Sequence, residues 1–248
     1  MLFTRLRGRL REVDDASFDR YISRLSSDPD EIQELTNRVT TNETYCYRTP
    51  RVWDYFLDTF LPEFQERDGD RTMRVWSAAA STGEEAHTIG VLLEEARRTQ
   101  SGFDYSVFGT DVSSRVLDTA EVGSYRGRSV AHLKKEQPDL FTKYMVGSEE
   151  NGYEVKSQIK ERIKFKLHNL LNPLEKSGQF DVVFLRNVLI YFTNEDQEKI
   201  LNHVRERIRP DGVLFIGESE TLKHIDTGFE QVMPIIYRPD SMVQRPST

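Results

Sequence analysis

Apolar positions along this chain follow two periods, and the switches between them lay out its elements. Residues 73–78, 104–110 and 180–185 hold short apolar runs without alternation, clearest in Phe180-Asp-Val-Val-Phe-Leu185, and predict strands buried on both faces. Between them the spacing changes to threes and fours. After Glu84, Ile89, Leu92, Leu93 and Ala96 share one face and predict a helix over 84–98. Further helices are expected at 113–121 and at 195–208, where Ile200, Leu201, Val204 and Ile208 face inward. Asn194 and Gln197 make a capping-box-like start for the latter, and Pro210-Asp-Gly212 its stop. Strands at Val213–Gly217 and Val232–Tyr237 complete the series. Strand and helix in alternation predict an α/β fold with a mostly parallel sheet covered on both faces.

Two stretches depart from this rhythm. Residues 1–40 read as short helices. Leu2, Leu6 and Leu10 form one face with Arg5, Arg7, Arg9 and Arg11 around it, either a solvated helix or a cationic face for an acidic partner helix. Asp28-Pro-Asp-Glu31 starts another, with Asp28 as N-cap, Pro29 first and Glu31 at N3, ahead of the stripe Ile32, Leu35 and Val39. Thr49-Pro50 opens a helix whose Val52, Trp53, Phe56, Leu57 and Phe60 face the core. In residues 140–167, Lys143–Val146, Gly152–Lys156 and Arg162–Leu167 read as three short antiparallel strands of an inserted β-subdomain. The expected division is a helical unit with its linker at 1–49 and a larger domain at 50–248, its tail fraying from Pro239.

Composition narrows the function. No apolar run approaches the roughly 20 residues of a membrane span, and the first residues lack the apolar core of a secretory signal. A single cysteine, Cys46, permits no internal disulfide and fits a reducing cytoplasm. The net charge of −7 argues against wholesale nucleic-acid binding. Metal-ligand spacings, the Gly-x-Ser-x-Gly elbow and the Walker-type Gly-Lys-Ser/Thr loop are all missing from the sequence, so no metal is expected.

The chemistry centres on Val75-Trp-Ser-Ala-Ala-Ala-Ser-Thr-Gly-Glu-Glu85, a strand that turns through small residues into a helix. Such a bend lets a ligand press against backbone. Glu84 and Glu85 at its mouth would repel phosphate, so a nucleoside with a cationic centre suits it better. Asp111, closing the second strand, is placed to accept bonds from ribose hydroxyls, although it or Ser113 could equally cap the next helix. Arg186-Asn-Val-Leu-Ile-Tyr191 follows a buried strand at the sheet's carboxyl edge, where ligands of open sheets sit. Asn187 offers donor and acceptor there and Tyr191 a phenol, unless they cap a turn and pack. Thr40-Thr-Asn-Glu-Thr-Tyr-Cys-Tyr-Arg48 is too rich in functional groups for a plain linker, and His168 reads as an ordinary strand-end histidine.

These stretches, with Pro210-Asp-Gly-Val-Leu-Phe-Ile-Gly-Glu-Ser-Glu-Thr-Leu222, resemble the chemotaxis-receptor methyltransferases, the CheR family of S-adenosylmethionine-dependent protein-glutamate O-methyltransferases. The resemblance implies a class I methyltransferase (Rossmann-like) fold with an antiparallel β-subdomain and a helical N-terminal domain. It implies an S-adenosylmethionine pocket lined by Asn42, Thr44, Arg48, Ala79, Glu85, Asp111, Asn169, Leu170, Asn187 and Val188, with Arg48 and Tyr191 near the transferred methyl. It further implies a cytoplasmic monomer whose basic helix (Arg5, Arg7, Arg9, Arg11) meets receptor helices.

The expected reaction gives a glutamate methyl ester. A carboxylate is already ionised near neutral pH, so no strong base is needed. Arg48 would orient the acceptor and Tyr191 assist by a hydrogen bond. Ala86-His87 stands where Pro-Tyr is common and Cys46 where an aromatic is usual. The N-terminal domain looks short, and the loop at 147–152 is short enough to predict that no receptor tether peptide is gripped. Two alternatives remain at this stage: a module that binds S-adenosylmethionine and signals without catalysis, and a nicotinamide oxidoreductase. The missing Gly-x-Gly-x-x-Gly and the Glu84/Glu85 pair count against the latter.

Overall fold

A computed structural model describes residues 2–13, 17–68, 71–175, 177–223, 225 and 227–240, with side chains from residue 6 onward. The tail expected to fray lies, beyond Asp240, outside the described residues. Strands β1 (Met73–Ser77), β2 (Tyr105–Asp111), β6 (Ile163–Leu167), β7 (Phe180–Leu185), β8 (Ile208–Ile216), β9 (Phe229–Met233) and β10 (Ile236–Pro239) form one sheet in the order β6-β2-β1-β7-β8-β10-β9. The first five are parallel, and β10 and β9 close the edge antiparallel. The unalternating run of β7, apolar apart from Asp181, is explained by its burial at every position, since it lies mid-sheet between covered faces. Successive strands leave β1 to one side through β2 and to the other through β7. A crevice therefore opens at the carboxyl ends of β1 and β7, where the strand order reverses.

Helix α4 (Pro50–Tyr55) runs through a π turn (Phe56–Phe60) into α5 (Leu61–Asp68) and covers one face. Trp53 stacks on Phe184 with ring centroids 5.4 Å apart, and Phe56 meets Phe184 and Phe215 edge-on. The expected face of Val52, Trp53, Phe56 and Phe60 is buried, with Leu57 at its margin. Helix α6 (Glu84–Thr99) buries Ile89, Leu92, Leu93 and Ala96 as its spacing predicts.

Five expectations need correction. Residues 162–167 do not belong to the β-subdomain: β6 pairs parallel with β2 at the sheet edge, and its alternation reflects one solvated face. The small antiparallel sheet instead joins β3 (Ser124–Tyr125), β5 (Gly152–Val155) and β4 (Met145–Ser148), while Lys143 and Tyr144 end helix α9 (Pro138–Tyr144). Helix α11 (Asn194–Arg207) is capped by Thr193, whose hydroxyl accepts the Asp196 N–H; Gln197 donates instead to the carbonyls of Leu189 and Phe192. Ile208 already belongs to β8, which carries Pro210-Asp-Gly212 past a register shift rather than ending a helix there. Residues 232–237 form a hairpin, not one strand, because Ile235 turns with φ +65° between β9 and β10.

The N-terminal helices also differ in detail. Helices α1 (Leu2–Glu12), α2 (Phe18–Leu25) and α3 (Pro29–Val39) pack together, and α3 docks on α7 (Ser114–Val122). Asp28 caps α3 as expected, but Glu31 turns inward instead of completing a capping box, and Ile32 is 50% exposed rather than core-facing. Arg9 binds Glu31 through Nε (2.8 Å) and Nη2 (2.6 Å), so its guanidinium ties α1 to α3 with its side chain 20% exposed. Arg7 and Arg11 are exposed, whereas the side chains of Leu2 and Arg5 lie outside the described residues.

Candidate functional site

The crevice at the ends of β1, β2 and β7 is a cavity of about 410 Å³, roofed by residues 39–48. Asn42, Thr44, Arg48, Ala79, Glu85, Asp111, Asn169, Leu170, Asn187, Val188 and Tyr191 all line it. Sequence reasoning passed over several other walls, notably Tyr45, Ser81, Arg186 and Phe192, and His168, which it read as ordinary.

The floor is built by hydrogen bonds that bend the backbone tightly. After β1, the N–H of Ala78 donates to Phe184 O and that of Ala80 to Thr110 O, both at 2.8 Å. Ser81 then turns with φ +50° and Gly83 with φ +92°. A Cβ on Gly83 would lie 2.7 Å from the Ala120 Cβ, so glycine is required there on both conformational and steric grounds. Asp111 fastens this bend: its Oδ2 accepts the Ser81 N–H and its Oδ1 the Ser113 N–H, each at 2.9 Å. Burial pushes the Asp111 carboxyl above its ordinary pKa, against the pull of those N–H donors.

The two consecutive carboxylates part company, because neighbours on a helix point about 100° apart. Glu84 turns away from the cavity, is buried, and accepts the Thr82 hydroxyl at 2.6 Å; burial raises its pKa. The expectation that both carboxylates stand at the mouth is therefore corrected: Glu85 alone lines the cavity. Its Oε1 accepts the Ser77 hydroxyl at 2.7 Å and its Oε2 the Nη1 of Arg186 at 2.9 Å. Glu85 is thus already ion-paired with Arg186, a pairing no sequence spacing announces across 101 residues.

The roof is anchored on both sides of its functional groups. Asn42 O accepts the Ser81 hydroxyl at 3.1 Å, Cys46 N donates to Ser129 O, and Tyr47 N donates to the Thr88 hydroxyl. Tyr47 (φ 60°) and Thr49 (φ 63°) bracket Arg48. The Arg48 side chain donates to Glu43 O at 3.2 Å and lies over the Tyr45 ring at 5.7 Å.

The remaining walls come from strand ends. Asn169 accepts the Leu171 N–H with its side chain, curling residues 168–171 under the roof. Burial lowers the pKa of His168, which favours the neutral ring. Asn187 turns with φ +58°, held by Glu220, whose carboxylate accepts the N–H groups of Asn187 (2.9 Å), Leu189 (2.8 Å) and Gly217. Tyr191 stands 59% exposed at the mouth. Among the described residues no cluster of three metal-ligating side chains occurs, and no helix is long and apolar enough to cross a membrane.

Small residues at the bend, a carboxylate at the end of β2 and a second beside the helix start fit a nucleoside carrying an amino-acid tail. Comparisons with known proteins agree. Residues 42–236 match the family model described as CheR methyltransferase, SAM binding domain. The chain is 34% identical to the chemotaxis protein methyltransferase of Escherichia coli (strain K12) over 232 residues, 92% of this chain and 79% of that one. It is 31% identical to that of Borreliella burgdorferi over 245 residues, 96% and 85% of the two chains. Among solved structures, the citrinin polyketide synthase CMeT domain aligns with a TM-score of 0.41 at 20% identity, over 76% of this chain and 39% of that one, a likeness too slight to build on.

Proposed function

The chain belongs to the CheR methyltransferase family, with a class I S-adenosylmethionine-binding fold, and on that premise we propose that it methylates glutamate side chains of a chemoreceptor's cytoplasmic helices. The observation that carries this reading is that Arg48 and Tyr191 line the same cavity as Glu85 and Asp111. When bound, S-adenosylmethionine supplies a methyl on a sulfonium, whose carbon–sulfur bond breaks as the acceptor oxygen forms the new bond. Asp111 holds the ribose end through the lone pairs its backbone donors leave free, and Ala79 lets the cofactor approach the backbone. Glu85, Asn42, Thr44, Asn169, Leu170, Asn187 and Val188 complete the pocket.

The acceptor carboxylate is ionised near neutral pH, so the chain's task is alignment at about 3 Å rather than proton removal. Arg48 receives that carboxylate at the cavity mouth with its planar fork, and the Tyr191 phenol adds a hydrogen bond. The protein acts as a cytoplasmic monomer. Its N-terminal helices, which end at Val39, meet the receptor with Arg7 and Arg11, and the chemistry is shared between the roof segment before residue 50 and residues 50–248.

The test is transfer of labelled methyl from S-adenosylmethionine into receptor-containing membranes, alongside a calorimetric titration with S-adenosylhomocysteine. Arg48→Ala should lower transfer roughly 100-fold or more with the fold intact, and Tyr191→Phe should lower kcat with little change in KM. Wild-type transfer by Arg48→Ala would overturn the assignment. Cofactor binding with no ester label on any receptor would select a signalling module instead.

A further inference from the structure

We propose that Arg186 is a positioning residue that sets Arg48 for the reaction by gripping its backbone. The inference rests on the role given to Arg48 above. Arg186 Nη2 donates to the Arg48 carbonyl at 2.9 Å, and the same oxygen accepts the Trp53 indole N–H at 3.0 Å. The guanidinium lies over the Trp53 ring, 5.6 Å from its centroid, and its other arm is the ion pair with Glu85. One buried group therefore ties the cofactor wall to the roof.

That grip has something to resist. Tyr47 and Thr49, on either side of Arg48, both occupy the left-handed region, and Thr49 is β-branched, the residue type least suited to it. Thr49 also precedes α4 without making a side-chain cap. A kink with two strained residues persists only where surroundings over-determine it. The carbonyl between them, accepting two hydrogen bonds, holds the centre of that kink, while the Tyr47 N–H bond to Thr88 and the Thr49 hydroxyl bond to Glu218 hold its flanks. Among the described residues the Arg48 side chain makes one hydrogen bond, to the Glu43 carbonyl, and lies over the Tyr45 ring, so its aim depends on its backbone. Lysine could keep the charge beside Glu85 but lacks the fork that reaches both acceptors.

The experiment compares Arg48→Ala, Arg186→Lys, their combination, and Arg186→Lys with Thr49→Gly. Methyl transfer to receptor membranes and S-adenosylhomocysteine affinity are measured for each. Arg186→Lys should lower kcat roughly 10- to 100-fold while cofactor affinity stays within about threefold. The combination should be no slower than Arg48→Ala alone. Thr49→Gly, which tolerates the left-handed turn, should restore part of the kcat lost in Arg186→Lys. An inactive Arg48→Ala beside a fully active Arg186→Lys would overturn the inference alone, as would additive losses or a parallel fall in cofactor affinity. An active Arg48→Ala would instead sink the reading of Arg48 itself. Should Arg186→Lys fail to fold in a thermal melt, Trp53→Phe removes the other donor to the same carbonyl and spares the ion pair. It should lower kcat by more than it weakens cofactor binding, since Trp53 also borders the cavity, and an unchanged kcat would refute the double hold on the Arg48 carbonyl.

Discussion

Asp111 binds the Ser81 backbone N–H at 2.9 Å, and through that bond the end of one strand fixes the bend that follows its neighbour. The same carboxylate holds Ser113, so both oxygens are engaged before any ligand arrives. Asp111→Asn would offer one acceptor oxygen and turn an amide N–H₂ against a backbone N–H. Leaving one such donor unmet costs about 1–3 kcal/mol. Affinity for S-adenosylhomocysteine should therefore fall roughly 10- to 100-fold, with the far-ultraviolet circular dichroism unchanged. Calorimetric titration reads the affinity. Retained affinity would mean that the bend does not depend on this carboxylate.

Glu31 is the keystone of the N-terminal helices. Besides Arg9 it accepts the Tyr21 hydroxyl at 2.7 Å, with Arg24 at 3.8 Å, and is 2% exposed. The bonds from Arg9, helped by Tyr21 and opposed by burial, pull its pKa from the ordinary 4.5 to about 2. A depressed carboxyl stabilises the fold above its unfolded pKa and loses that contribution as pH falls through its folded one. The window is thus pH 4.5 down to about 2, and the contribution is about 3 kcal/mol. Glu31→Gln should lose that amount in urea unfolding at pH 7. The gap from wild type should close as the pH is lowered across that window; a gap independent of pH would contradict the ion-pair account.

Much of this architecture is legible in the sequence because parallel strands buried on both faces are mostly apolar, as Phe180–Leu185 are apart from Asp181, whose buried carboxylate accepts the Arg74 N–H and pairs with Arg71. The bend at 77–85 is legible for the same kind of reason, since close backbone approach demands small residues. What escapes notice depends on contacts between distant segments. Ile163, Phe165 and Leu167 alternate with lysines as an antiparallel strand would, and only pairing with β2 shows that they form a parallel edge. Ile235 makes a turn without glycine, asparagine or aspartate to signal it. Glu84 and Glu85 are identical in type, and the helix register alone decides which one faces the cavity. Arg186 and Glu220 read as polar residues after strands, while their partners lie tens of positions away.

His87 gives a second pH window. It is buried, and its Nδ1 lies 2.6 Å from the Tyr125 hydroxyl, which itself donates to Thr82 O at 2.9 Å. The hydroxyl proton is committed to Thr82 O, so Nδ1–H is the donor in their contact. Burial, with Lys160 nearby, depresses the His87 pKa from 6.5 to about 4. The neutral ring contributes fully above pH 6.5, and that stability drains away as pH falls toward about 4, by about 3 kcal/mol in all. His87→Phe should flatten the stability curve across this interval, which lies almost wholly above the Glu31 window. Urea midpoints at half-unit steps of pH would show it, and an unchanged slope in the variant would exclude His87 as the source.

Glu220 offers the most direct test of how the cavity keeps its shape. Its carboxylate gathers three backbone N–H groups, from Asn187, Leu189 and Gly217, and thereby joins the loop after β7 to the loop after β8. Asparagine tolerates the φ of +58° better than most non-glycine residues, and the bond to Glu220 selects that turn at Asn187. Gly217 permits the contact: a Cβ there would sit 2.7 Å from Asn187 N and from Glu220 Oε2. Glu220→Gln keeps the volume but replaces one acceptor by a donor facing a buried N–H, at about 1–3 kcal/mol. The loop should then relax toward ordinary φ, withdrawing the Asn187 amide and Val188 from the cofactor wall. The expected result is a Tm lower by about 2–8 °C together with S-adenosylhomocysteine binding weakened roughly tenfold. A purely structural role for Glu220 would lower the Tm alone and leave the affinity of the folded protein where it was. A wild-type Tm and affinity in Glu220→Gln would show that Asn187 holds its turn unaided.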